Sequence, residues 1–363
     1  MKVLHIGVYD RNIGDNIALA NLQYSLGKYF GEKVEVNGLN LEHFWNNNND
    51  IRYTRSVYNS IVGKMDCIII GGGGLLEYGG YETKQSGWKL PFFKEALDFI
   101  KIPTYYYGVG VNIFRGGIDY SAKAKTALID TIEHSHGFGI RNDGSYSKLK
   151  DWIGIPEETL SKVDVVPDPG LLHLDRFGVE RKLNVSKLGF QPAINASGGI
   201  NKHRFGEHNL PVLKSKFKDS TVYPHTVKDF LFGKPIISKG DFTGKYKQFE
   251  NLDLFLEKYK EIDYVVAMRG HGQMITIGMN IPGIYLSTQD KVRDFSIENG
   301  FEDYNVDMTD EFWFEKLENY MDKLTEHKSK YLKDWYEIRD EFIKKCHDID
   351  EKWFKEKFNR WSA

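Results

Sequence analysis

The sequence predicts an α/β fold with two domains of parallel sheet and a helical tail. Its 363 residues suit two domains at roughly 150 residues each. Apolar runs of strand length alternate with amphipathic stretches, and Gly-rich segments directly follow several of the runs, which is the pattern of β-α-β units. From Thr309 onward the composition turns charged and aromatic, and Leu332, Trp335, Ile338, Phe342, Cys346, Ile349 and Trp353 step by three or four as on an amphipathic helix.

In chain order, Val3 to Val8 reads as a buried strand and the segment after Gly14-Asp15 as a helix, with Asp15 at the N-cap. Lys33 to Leu39 is a second strand, and Met65 to Ile70 a third, stopped by Gly71 to Gly74. A helix over Pro91 to Ile100 precedes a strand over Thr104 to Val109, followed by a helix at Ser121 to Glu133, a strand at Gly137 to Arg141, a helix at Ser145 to Trp152 and a strand at Asp164 to Pro167. The polar stretch Asp175 to Ser186 is the linker. Beyond it come strands at Lys187 to Ile194, Pro235 to Ser238, Tyr264 to Met268 and Gly283 to Ser287, with helices at Val212 to Lys218, Asn251 to Lys260 and Gln273 to Met279. The polar, Gly-containing stretches Gly199 to Gly206 and Asp241 to Phe249 read as surface loops. The expected domains are therefore 1–174 and 184–305, and the tail, 309–363, is expected to pack back on the first.

Composition removes several function classes. With 49 Lys+Arg against 51 Asp+Glu, the net charge of −2 gives no bulk reason to bind nucleic acid or an anionic bilayer. Cys67 and Cys346 supply neither a disulfide framework nor a cysteine zinc site and suit a reducing compartment. The Met1 to Val8 run is too short for a signal h-region, and no run of about 18 apolar residues occurs to span a bilayer. The expected location is cytoplasmic.

Candidate chemistry sits where strands of a parallel sheet deliver their ends to a ligand crevice. Gly14 and Asp15 follow the first strand without a dinucleotide fingerprint. Gly71 to Gly74, with Gly72 and Gly73 central, expose backbone to an anion but lack the Lys-Ser/Thr of a P-loop, and the alternative is a turn for close packing. Tyr107 to Asn112 repeats the theme at the next strand. Arg141, with Ser145 opening the helix after it, could anchor a carboxylate or phosphate, or form an ion pair with Asp143 or Asp168. Tyr264 to Gly272 ends a buried strand in Arg269, Gly270 and His271, so that an imidazole able to exchange protons near neutral pH lies beside a guanidinium at a helix start. Lys291 is expected on the same rim, after the strand ending near Ser287. These cations with one His describe an anionic, phosphorylated substrate; no G-x-S-x-G, H-E-x-x-H or paired-carboxylate spacing is present, and metal chemistry is unsupported.

With these residues in place, the chain resembles the polysaccharide pyruvyl transferase family. The resemblance runs through Gly14-Asp15, Gly71 to Gly74, Gly108 to Gly110, Arg141 with Ser145, Val166-Pro167-Asp168-Pro169-Gly170, Arg269-Gly270-His271 and Tyr285 with Lys291-Val292 and Phe295. It covers about residues 1 to 305, and Asn142 stands where the family usually has Asp, with Asp143 one place later. It implies two Rossmann-like domains facing across a cleft, like the GT-B glycosyltransferases. It also implies transfer of pyruvyl from phosphoenolpyruvate to a sugar diol as a cyclic ketal, with release of phosphate and no cofactor. On that reading Arg269, Lys291 and Arg141 hold the donor, His271 protonates its C3, and Asp15 on the facing domain binds or deprotonates the acceptor. Gly14, Gly72, Gly73, Ser145 and Asn112 complete the substrate-binding set. The partners are phosphoenolpyruvate and a sugar acceptor, and a lipid-linked acceptor would bring the protein to the inner face of the membrane. The alternatives are a GT-B glycosyltransferase using a nucleotide sugar and a non-catalytic glycan-assembly protein.

Overall fold

The computed structural model describes residues 1–9, 12–31, 34–41, 64–77, 100–112, 120–183, 185–193, 221–223 and 252–359, with isolated residues between them such as His225. The chain divides into two compact units. Met1–Tyr9, Ala18–Pro169 and Cys346–Ala363 form the first, and Asp10–Ile17 with Gly170–Lys345 the second.

The first unit carries β1 (Lys2–Gly7), β2 (Glu35–Asn40), β3 (Cys67–Glu77), β4 (Thr104–Asn112), β5 (Gly137–Arg141) and β6 (Val163–Val166) in the order β2-β1-β3-β4-β5-β6. All its pairings are parallel. Side chains alternate between two apolar layers with the period of two that a strand dictates. Leu4, Ile68, Ile70, Tyr106 and Phe138 share one layer with Leu128 and Ile132 of α2 (Ala122–His134). Val3, Cys67, Ile69, Tyr105 and Tyr107 share the other with Leu22 and Leu26 of α1 (Ile13–Phe30) and with Trp353, Phe354 and Phe358 of the tail. Burial on both faces explains why these strands read as continuous apolar runs.

Two expectations change here. β3 is not stopped by the four glycines but runs through them to Glu77, shifting register between Gly73 and Leu76. A Cβ on Gly71 would lie 1.8 Å from the Tyr107 carbonyl oxygen, so glycine is what lets β3 and β4 approach there. The helix expected from Ser145 to Trp152 is a three-residue α3 (Ser145–Ser147) that widens into a π-helical turn over Lys148–Ile153, followed by the short α4 (Glu157–Leu160) and β6.

The second unit holds β7 (Leu188–Gln191), β8 (Thr221–Val222), β9 (Tyr264–Ala267), β10 (Gly283–Ser287) and β11 (Asn305–Asp307), ordered β11-β10-β9-β7-β8 and parallel throughout. Its helices are α5 (Leu252–Tyr259), α6 (Gly270–Gly278) and α7 (Asp290–Glu298). α7 was not foreseen: the sheet strand ends at Ser287, so Lys291 lies in a helical first turn. The expected helix at Val212 to Lys218, the strand at Pro235 to Ser238, most of the helix at Pro91 to Ile100 and the loops at Gly199 to Gly206 and Asp241 to Phe249 fall outside the described residues.

The tail forms α8 (Trp313–Glu326) and α9 (Lys328–Lys357). It does not pack as one piece on the first unit, because its apolar stripe finds different partners along its length. Trp335 and Phe342 meet Phe301 and Phe295 of the second unit. Trp353 meets Tyr107 of the first with ring centroids 4.8 Å apart, and the buried Asp350 accepts hydrogen bonds from Ser25, Tyr29 and Tyr107. Among the described residues no helix is long and apolar enough to cross a membrane.

Candidate active site

In the second unit the strand order reverses direction between β7 and β9, the switch point where parallel sheets open a crevice beyond their carboxyl ends. β9 empties there through Met268 into Arg269, which is the N-cap of α6 with extended backbone (φ −103°, ψ 146°) and no side-chain cap hydrogen bond. His271 therefore stands in the first helical turn, where main-chain N–H groups and the helix dipole favour an anion. Lys291 joins them: its Cε lies 3.9 Å from where a Cβ on Gly270 would be.

The beginning of α1 counts with this same unit. Its N-cap is not Asp15 but Asn12, whose Oδ1 accepts from the Gly14 N–H at 2.9 Å. That leaves the Asp15 carboxylate in the first turn, with Oδ1 3.3 Å from Nδ1 of His271. Asp15 is about one-fifth exposed and His271 one-tenth, so the pair is mostly withdrawn from bulk water. A Cβ on Gly14 would lie 2.2 Å from that of His271, so the imidazole packs directly on the backbone of α1.

Two contributors went unforeseen. Gln191, the last residue of β7, accepts from the Arg269 N–H at 2.9 Å. His225 is wholly buried; its carbonyl accepts from the Ile13 N–H at 3.3 Å and its Nε2 lies 2.9 Å from the Tyr259 hydroxyl. Burial first, then the charges of Arg269 and His271, push the His225 pKa well below that of a free imidazole, so it stays neutral. Gln191 lay inside the strand expected over Lys187 to Ile194, which in fact ends at Gln191, and His225 lies in a segment without periodicity.

The remaining predicted residues belong to the first unit. Arg141 does not offer an open guanidinium there. It is 4% exposed, with Nη2 2.7 Å from Asp143 and Nη1 2.9 Å from Asp168, the ion-pair alternative left open by the sequence. Asp143 also accepts from the Ser145 hydroxyl, and Ser145 Oγ accepts from the Val111 N–H at 2.8 Å. Asn142, where the family usually has Asp, accepts from the Asp168 N–H at 3.1 Å. Asn112 donates to the Gly74 carbonyl at 3.1 Å. Gly72 (φ +81°) faces Leu19 of α1, and Gly73 pairs with Val109. Among the described residues no group of three or more His, Cys, Asp or Glu could hold a metal.

The sequence pattern of polysaccharide pyruvyl transferases matches residues 12–290, which spans both Asp15 and the Arg269-Gly270-His271 turn. The chain belongs to the polysaccharide pyruvyl transferase family. No curated protein matches it in sequence. In fold, this family member is similar to a protein of Listeria monocytogenes described as a UDP-N-acetylglucosamine 2-epimerase (TM-score 0.56, 12% identity, 91% of this chain and 90% of that one). The N-terminal domain of a Candida albicans trehalose-6-phosphate phosphatase is also similar (TM-score 0.55, 11% identity, 100% and 99%). So is the UDP-GlcNAc 2-epimerase of Neisseria meningitidis bound to UDP-GlcNAc (TM-score 0.52, 13% identity, 93% and 94%). At these identities the likeness is one of fold alone.

Proposed function

We propose that the protein transfers pyruvyl from phosphoenolpyruvate to a sugar diol of a cell-surface polysaccharide or its precursor, forming a cyclic ketal and releasing phosphate. The observation that carries this reading is the Asp15–His271 pair between the first turns of α1 and α6, with Arg269 and Lys291 beside it. Phosphoenolpyruvate carries a carboxylate and a phosphate, and two cations at a helix N-terminus are complementary to such an anionic ligand. Nδ1 of His271 donating to Asp15 holds the imidazolium, whose Nε2 proton is delivered to C3 of the enol. Positive charge then develops at C2, which the sugar's first hydroxyl attacks. The C2–O bond to phosphate breaks, and the second hydroxyl closes the ring at the same carbon. One hydroxyl proton returns to His271 and the other leaves with phosphate. Asp15, rather than binding the acceptor from a facing domain, orients the acid and stabilises its charged form.

The test is phosphate release on incubation with phosphoenolpyruvate and galactoside or mannosamine-type acceptors, with a His271→Ala variant alongside. Release by the parent and none by the variant is expected. Two of the fold neighbours are UDP-GlcNAc 2-epimerases by their descriptions, so thermal stabilisation by UDP-sugars and not by phosphoenolpyruvate would favour a nucleotide-sugar enzyme instead.

A further inference from the structure

One side chain from the neighbouring strand, that of Gln191, meets the start of helix α6. Gln191 is fully buried at the carboxyl end of β7, and β7 and β9 are paired up to Gln191 and Ala267. Its carbonyl oxygen accepts from the Met268 N–H at 2.9 Å and its Oε1 accepts from the Arg269 N–H, also at 2.9 Å. Nε2 donates to the Pro192 carbonyl at 2.6 Å, which fixes which end of the amide faces α6. On the far side of the turn, a Cβ on Gly272 would come within 2.4 Å of Oε1. The amide thus occupies the space under the first turn, gripping Arg269, two residues before His271, and excluding a side chain from Gly272, the residue after it.

We infer that Gln191 is a positioning residue for the Arg269-Gly270-His271 turn, setting both the direction of the Arg269 side chain and the seat of the imidazole. This inference rests on the proposed reaction for its kinetic readout, but not for its binding readout. An uncharged amide suits the role: it supplies the acceptor without placing a negative charge beneath an anion site. A leucine of similar volume would leave the part-buried Arg269 N–H without its acceptor. A glutamate would keep the acceptor for the Arg269 N–H, add the charge and lose the donor to the Pro192 carbonyl.

The experiment compares the full-length parent with Gln191→Leu, Gln191→Glu and Gly272→Ala. It reads kcat and KM for phosphoenolpyruvate by phosphate release, inorganic phosphate affinity by calorimetry, and thermal unfolding. Gln191→Leu should lower kcat about 100-fold, the scale of a misplacement near 1 Å, and weaken phosphate binding. Gln191→Glu should recover most of kcat while raising KM, and Gly272→Ala should reproduce the Leu defect. A folded Gln191→Leu variant with parental kcat and phosphate affinity would overturn the inference. So would a folded Gln191→Glu variant with kcat as low as that of Gln191→Leu, or a parent that binds no phosphate. If the parent binds phosphate but turns over no phosphoenolpyruvate, the reaction reading fails alone, and the phosphate affinities of the variants still decide the role of Gln191.

Discussion

Asp15 and His271, separated by more than half the chain, meet at 3.3 Å between Oδ1 and Nδ1. The contact joins the first turn of α1 to the first turn of α6 and sets a carboxylate directly beside the imidazole. Replacing Asp15 by Asn keeps the shape and removes the charge. Phosphate release in Asp15→Asn should fall by about 100-fold, within the range that positioned acid–base catalysis contributes. KM for phosphoenolpyruvate should change less, because the cations are untouched. Steady-state kinetics checks the split.

Gly14→Ala tests the same contact sterically. The added methyl would lie 2.2 Å from Cβ of His271, near the backbone of both helices, so neither partner can swing aside cheaply. We expect activity to drop about as far as in Asp15→Asn, on the roughly 100-fold scale of a displaced catalytic group. Alanine is a better helix former than glycine by about 1 kcal/mol, which offsets only part of the overpacking, so the thermal unfolding midpoint should fall modestly. Activity assays beside calorimetry separate the two effects.

Arg141 should behave differently. Its guanidinium lies between Asp143 and Asp168, all three side chains being at most 4% exposed. Arg141→Met leaves two buried carboxylates without their cation, and breaking such a pair costs about 3–5 kcal/mol. Denaturant unfolding should show the loss directly. A variant of parental stability that had lost only phosphoenolpyruvate binding would make Arg141 a ligand residue instead.

Acid should loosen the start of β7 through Asp263. Burial opposes its charge, but the Lys182 ammonium, the Ser186 hydroxyl and the Ser186 and Lys187 amides outweigh burial and lower its pKa to about 2 from 3.8. Because the folded value lies below the unfolded one, this clasp is fully stabilising above 3.8 and is lost as pH falls towards 2. The contribution is on the order of 1–2 kcal/mol. Unfolding of Asp263→Asn followed down to a pH of about 2 should show a shallower acid dependence than the parent.

Local pattern alone missed the short edge strands β8 and β11 but identified the strands of the first sheet, β7, β9 and β10 of the second, the amphipathic tail and the Arg269-Gly270-His271 turn. Each depends on interactions within a few residues or on a face buried along its whole length. Strand ends were legible because a buried parallel strand must stop at polar or glycine residues. The run Gly71 to Gly74 misled for a related reason: glycine signals a turn locally, yet here it admits the Tyr107 carbonyl of the next strand. The role of Gln191, the ion pairing of Arg141 and the partner of Asp15 could not be read from periodicity. Gln191 and Asp15 meet partners far along the chain, and for Arg141 the sequence offered Asp143 and Asp168 as one alternative among two; only packing decides which donor or acceptor arrives. The sequence by itself determined the fold class, the family resemblance and the residue types of the candidate site. Tertiary structure decided which of those residues share a unit, because hydrogen bonds and close contacts are set by distance in space and not along the chain.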